Sequence, residues 1–199
     1  MAGIITGFYG FQRSGKTALA ILLSRLLNDE YDIPVYTNMN SPKGFITIES
    51  LEDIPYNFKP KVLLLDEAMQ FLDSRAWSDN QKSSFFFNII GKLNIFLMLT
   101  SPIMDMIDIR LRKQHNYMFI AKSDDKNIYY RCFDVQRNTQ KDIILEKNKK
   151  LFDYLDYDHQ EVPDVIDLDI EQYVDKVRAY AKKMKNNNLI KNERNVLKL

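Results

Sequence analysis

The segment Gly10-Phe11-Gln12-Arg13-Ser14-Gly15-Lys16-Thr17 constrains this chain more than any other. It stands between a short apolar run, Ile4 to Tyr9, and a stretch from Thr17 to Leu27 in which leucines, alanines and an isoleucine recur at helical spacing. Strand, loop and helix in that order place two glycines where the backbone must turn and a lysine where the helix begins. The glycines let successive N–H groups converge on one point, and the helix adds the positive end of its dipole. Such a concavity suits an anion, so the eight residues read as a cradle for nucleotide phosphates. Lys16 would reach the β- and γ-phosphates, and the Thr17 hydroxyl would ligate Mg²⁺.

An acidic element downstream complements the cradle. Lys61-Val62-Leu63-Leu64-Leu65 is an uninterrupted apolar run, the pattern of a strand buried on both faces of a parallel sheet, and it ends in Asp66-Glu67. Asp66 is expected to hold the Mg²⁺ shell through its water ligands. Binding needs only that first acid, so Glu67 has a separate role. A carboxylate just beyond a strand end can polarise a water for in-line attack on the γ-phosphorus. The doublet favours ATP hydrolysis over phosphotransfer, and no basic lid of the kind a small-molecule kinase would bring is visible.

The remaining pattern predicts a short strand at Val35 to Asn38, a capping box opening a helical turn at Ser50-Leu51-Glu52-Asp53, and a phenylalanine-rich helix from Ser83 to Leu93. A buried strand follows at Ile95 to Thr100, then a helical stretch from Pro102 through Arg112. Strands at Tyr117 to Lys122 and Ile128 to Val135 flank the turn 123–127 and read as a hairpin at one sheet edge. Residues 1–150 form an α/β ATPase domain on this reading, and residues 151–199 a small polar C-terminal appendage. Within it, residues 151–175 hold nine acids and no lysine or arginine, whereas residues 176–199 hold eight basic residues and one acid.

Composition excludes several classes. With 28% charged and 45% hydrophobic residues and a formal net charge of +1, the chain is an ordinary globular one whose net charge points to no partner. One cysteine, Cys132, rules out an intrachain disulfide framework, and the first residues lack the basic start and apolar run of a secretory signal. A cytoplasmic setting is expected. The apolar stretches around residues 62–65 and 95–99 fall far short of the ~20 residues that cross a bilayer, so no membrane span is expected. His115 and His159 stand without the paired ligands of a transition-metal site.

From Leu63 to Arg112 the order Leu-Leu-Leu-Asp66-Glu67-Ala68-Met69-Gln70-Phe71-Leu72-Asp73-Ser74-Arg75, then Ile95-Phe96-Leu97-Met98-Leu99-Thr100, then Met106-Ile107-Asp108-Ile109-Arg110-Leu111-Arg112 resembles packaging-type ATPases of the FtsK/HerA superfamily. It is also similar, more distantly, to the zonular-occludens-toxin-like phage assembly ATPases. With the cradle, the resemblance covers roughly residues 3 to 135. It implies a P-loop NTPase of the additional-strand catalytic class, with a central, mostly parallel sheet flanked by helices. It further implies a homo-oligomeric ring that translocates double-stranded DNA, with loading of a viral genome into a capsid through a portal-like vertex as the concrete activity. The host cytoplasm or the virion would then be the location. Where the family carries a sensor glutamine this chain has Thr100 followed by Ser101, and the basic residues before that strand are reduced to Gly91-Lys92-Leu93-Asn94.

In ring-shaped translocases an arginine from a neighbouring subunit stabilises charge on the γ-phosphate. The resemblance makes Arg110 and Arg112 candidates, with Arg75 a third; a solvated or dipole-pairing arginine is the alternative. Phe85-Phe86-Phe87 reads as core or subunit-packing surface. Lys176 to Lys198 reads as solvated lysines, with contact to DNA phosphates as the other reading. Two rival functions stand beside the packaging motor. One is an assembly or extrusion ATPase of the toxin-like branch, the other an ATP-binding scaffold or switch with weak hydrolysis.

Overall fold

The computed structural model describes residues 3–70, 89–107, 109–166 and 169–186, apart from the side chains at 110 and 111. The Arg75 and Phe85-Phe86-Phe87 readings, and the basic tail beyond residue 186, lie outside them. Strand β1 (Ile4–Tyr9) feeds the Gly10–Thr17 loop and helix α1 (Lys16–Tyr31), as the spacing predicts. Strands β2 (Val35–Thr37), β3 (Ile46–Thr47), β4 (Lys61–Leu65) and β5 (Ile95–Ser101) follow. Between β3 and β4 the Ser50 capping box is formed: Ser50 Oγ accepts from the Glu52 N–H at 3.0 Å, and the Asp53 carboxylate accepts from the Ser50 N–H at 2.9 Å.

The sheet has eight strands in the order β3-β2-β4-β5-β1-β6-β7-β8. The first six run parallel, and β6 (Tyr117–Ser123), β7 (Asn127–Asp134) and β8 (Thr139–Glu146) form an antiparallel meander. Strand β5 is inserted between the cradle strand β1 and the acidic strand β4, which is the additional-strand arrangement. The β6–β7 hairpin forms, but β8 covers it and takes the edge. The sequence hides β8 because both faces of that edge strand are largely exposed, so Thr-Gln-Lys-Asp-Ile-Ile-Leu-Glu shows no clean alternation. The expected helix from Pro102 to Arg112 is broken into a 3₁₀ turn (Met104–Met106) and the single turn α2 (Ile109–Arg112).

Each face of the sheet carries its own core. Alternation along β4 sends Val62 and Leu64 toward α1, where they meet Leu19, Ile21 and Phe8. Leu63 and Leu65 face the other way, onto Leu97, Leu99 and the apolar stripe of helix α4 (Ile170–Asn186), whose Tyr173, Val174 and Val177 are buried. A short helix, α3 (Lys149–Leu155), leads off β8 and buries Leu155 against the α1 side. The described residues of 149–186 thus contribute to both faces, Leu155 to one and Ile166, Ile170 and Tyr173 to the other. Among the described residues no helix is long and apolar enough to cross a membrane.

Tyr173 tests how much α4 holds the domain together. It is 0% exposed, packs on Tyr56 with ring centroids 5.8 Å apart, and its buried hydroxyl has no hydrogen-bond partner among the described residues. Tyr173→Ala should cost about 3–5 kcal/mol by cavity formation. Tyr173→Phe, which removes only the orphaned hydroxyl, should leave stability unchanged or raise it by about 1 kcal/mol. Urea denaturation of the two variants measures both.

Candidate functional site

The parallel register gathers the sequence-predicted residues at one edge of the sheet. Phe8 pairs with Thr100 and Leu65 with Leu99, so Gly10, Asp66 and Thr100 all emerge at the carboxyl ends of neighbouring strands. Open α/β sheets bind ligands at that edge.

The loop between β1 and α1 has the backbone its residues foretell. Gly10 (φ +147) and Gly15 (φ +93) lie where side chains rarely go, and both are crowded: a Cβ on Gly10 would meet the Ala121 carbonyl oxygen at 2.4 Å, one on Gly15 the Ile128 Cγ2 at 2.6 Å. Arg13 also takes a positive φ of 61. The loop is braced from the hairpin, since the Tyr130 hydroxyl donates to the Gly15 carbonyl at 2.8 Å and Ser123 Oγ donates to the Arg13 carbonyl at 2.9 Å. Helix α1 starts at Gly15 without a side-chain cap and without an acid in its first turn, so its free N–H groups keep their full attraction for an anion. Ser14 Oγ, beside Gly10, is buried without a hydrogen-bond partner among the described residues.

Lys16 is folded over the loop, donating from Nζ to the Phe11 carbonyl at 3.0 Å. Burial lowers its pKa, while the charges of Glu67 and Asp66 pull it back up. Asp66 is buried at the end of β4, where its Oδ1 accepts two hydroxyl hydrogen bonds, from Thr17 and from Thr100, each at 2.7 Å. Burial raises its pKa; the two hydroxyls and Lys16 oppose that rise and Glu161 adds to it. Glu67 takes a left-handed conformation (φ 49) and donates its N–H to Thr100 Oγ1 at 3.0 Å. Burial first, then the Asp66 charge, push its carboxyl above the ordinary value, with Lys16 opposing. Thr100 therefore bridges both acids from within the sheet. Its hydroxyl proton is committed to Asp66.

Asn38, at the end of β2, is a site residue that the sequence does not single out. Its carboxamide clamps the Asp66 backbone: Oδ1 accepts from the Asp66 N–H at 2.8 Å, and Nδ2 donates to the Asp66 carbonyl at 3.0 Å. The same Nδ2 donates to the Asp164 carbonyl at 2.9 Å, tying the clamp to a second unforeseen feature. Residues 156–166, which the sequence marks only as an acidic stretch, run across the mouth of the site. Glu161 accepts from the N–H groups of Asn40 and Ser41, and the Asp158 N–H donates to Ser41 Oγ at 3.0 Å. Tyr157 lies close enough to feel Asp66: burial, helped by that charge, leaves its hydroxyl pushed up to about 12. The cleft that results measures about 790 Å³ and runs between the phosphate loop, Asp66, Glu67 and this strap.

The donor set fits a hard divalent cation. Thr17 Oγ1 and Asp66 Oδ1 are two oxygens 2.7 Å apart, and a cation held by one carboxylate, a hydroxyl, waters and a phosphate has no need of a cage. No group of three or more His, Cys, Asp or Glu side chains suited to a metal occurs among the described residues. Arg112 is bonded within its own chain to Asp105 at 2.5 Å and is not among the described residues lining the cleft. The Arg110 side chain, like Arg75, lies outside the described residues.

No protein-family model matches the chain, and no curated relative is similar to it in sequence. Solved structures are similar in fold. The N-terminal domain of zonular occludens toxin from Neisseria meningitidis superposes with a TM-score of 0.60 over 79% of this chain and 100% of that one, at 19% identity. The genome-packaging NTPase B204 from Sulfolobus turreted icosahedral virus 2, in complex with ATP-gammaS, gives 0.55 over 70% and 96%, at 11% identity. A DnaB-like replicative helicase gives 0.55 over 73% and 57%, at 10% identity. The eight-stranded sheet with β5 between β1 and β4, the glycine loop at its carboxyl edge and these likenesses together make this a P-loop NTPase fold.

Proposed function

We propose that the chain hydrolyses ATP with Mg²⁺ and couples hydrolysis to translocation of double-stranded DNA, loading a viral genome into a capsid. The observation that carries the hydrolytic part is the triangle of Thr17, Thr100 and the Asp66-Glu67 doublet. One buried carboxylate is pinned by two hydroxyls, and a second, less buried one stands at the cleft with its affinity for protons raised. In this reading the loop N–H groups and Lys16 hold the β- and γ-phosphates, and Thr17 with Asp66 holds the cation. The cation supplies charge neutralisation on the transferring phosphoryl group. Glu67 takes a proton from the attacking water, a role that its place at the cleft just beyond Asp66 suits. Thr100 fixes the strand-end turn and so positions both acids.

Translocation rests on likeness in fold to a genome-packaging NTPase and a replicative helicase. A homo-oligomeric ring would let a neighbour's arginine complete the site. Arg110, Arg112 and Arg75 are the candidates for that role, Arg112 meeting Asp105 within its own chain. A second reading, an assembly ATPase of the toxin-like branch, is favoured by one observation: the similarity to the zonular occludens toxin domain spans more of this chain than the similarity to B204 does, 79% against 70%.

Glu67→Gln should bind ATP with affinity near that of the unaltered chain while phosphate release falls by about 10²-fold or more; turnover retained in this variant removes Glu67 as the base. Lys16→Ala should lose ATP binding in the same titration. Phosphate release measured with and without double-stranded DNA distinguishes the readings. Stimulation by DNA supports the motor, DNA-independent hydrolysis the assembly ATPase, and binding without hydrolysis a scaffold.

A further inference from the structure

The cleft extends past the Gly10–Thr17 loop to residues remote from Asp66 in the sheet. In the sheet, β4 with Asp66 lies two strands to one side of β1, and β7 with Ile128 lies two strands to the other. The cleft spans both flanks, and on the β7 side its walls are Ile128, Lys147 and Phe152. That wall is built rather than loose. Lys147 donates its N–H to the Lys126 carbonyl at 2.7 Å and its Nζ to the Asp124 carbonyl at 2.5 Å. Helix α3 is capped by Asn148, whose side chain accepts from the Leu151 N–H at 2.9 Å, and is anchored where Arg25 donates from Nε and Nη2 to the Leu155 carbonyl at 3.0 and 2.9 Å. Yet Phe152, on that anchored helix, lines the cleft and is 45% exposed.

Chemistry narrows what this end can take. The strap lining the cleft brings Asp158 and Glu161 and no lysine or arginine, so it repels phosphate and leaves the anion to the Gly10–Thr17 loop. An exposed aromatic face in a cleft that begins at a cationic loop matches a heteroaromatic base. We propose that Phe152 is the stacking platform for the nucleotide base, so that base affinity comes from α3 and phosphate affinity from the loop. This rests on the reading of Gly10–Thr17 as a triphosphate cradle.

Calorimetric titration of the full chain with Mg²⁺ and either ATP or inorganic tripolyphosphate separates the two halves of the site. Loss of a base–aromatic stack should raise Kd about tenfold. Phe152→Ala is therefore expected to weaken ATP by that factor and to leave tripolyphosphate within about twofold, while Phe152→Trp keeps ATP affinity. Unchanged ATP affinity in Phe152→Ala would overturn the assignment. So would an equal loss for both ligands, which would mark Phe152 as merely structural. Failure of the cradle reading looks different: the unaltered chain would bind neither ligand, or Lys16→Ala would bind tripolyphosphate as well as its parent, and the inference would fall with it.

Discussion

A carboxylate carried into the protein at the end of a fully buried strand is the constraint around which this structure is organised. Asp66 lies where water cannot solvate it well, and an isolated buried charge costs more than the whole stability of a typical domain. Two hydroxyls, one from the first turn of α1 and one from β5, converge on a single oxygen of that group. They fix its position as well as its charge. Because Thr17 belongs to the phosphate loop and Thr100 to the strand between, the same two hydrogen bonds also lock the loop to the sheet. The backbone on either side of the carboxylate is held by Asn38, which is itself 0% exposed. Lys16 supplies the counter-charge from its place over the loop.

The C-terminal quarter of the chain enters this arrangement from outside. Among the described residues, Ile166, Ile170, Tyr173, Val174 and Val177 complete the core on the face opposite α1 and Leu155 packs on the α1 side, while Asp158 and Glu161 line the cleft. The link between the two is the Asn38 side chain, shared between Asp66 and the Asp164 carbonyl. The strap and the Asp66 backbone thus meet at one buried carboxamide.

Much of this was legible in the sequence where local chemistry dictates it. Gly10 and Gly15 need positive φ, a run such as Lys61 to Leu65 has no stable place except between two layers, and Ser50 to Asp53 carries its own cap. Asn38 was not legible, because an asparagine after a three-residue strand announces nothing until the register places it beside Asp66. The strap was obscured by its charge: Asp158, Glu161 and Asp164 read as a solvated face, and most of their partners are backbone N–H groups and carbonyls that no side-chain pattern reveals. Strand β8 was hidden by the exposure of both its faces. The helical period expected through Arg112 gave way to two short turns, the first ended by Ile107 in extended geometry.

The insertion of β5 has a metric consequence. Adjacent strands stand about 4.8 Å apart, so strands separated by one intervening strand stand about 9.6 Å apart. The backbones that carry the phosphate loop and the acidic doublet are therefore held across a gap one strand wide, which the Thr17 and Asp66 side chains bridge with their 2.7 Å hydrogen bond. Strand β5 is the spacer that sets this width, and Thr100 at its end touches both acids. The gap is a property of the sheet itself, as rigid as its hydrogen-bonded ladder, and does not depend on any loop closing to create it.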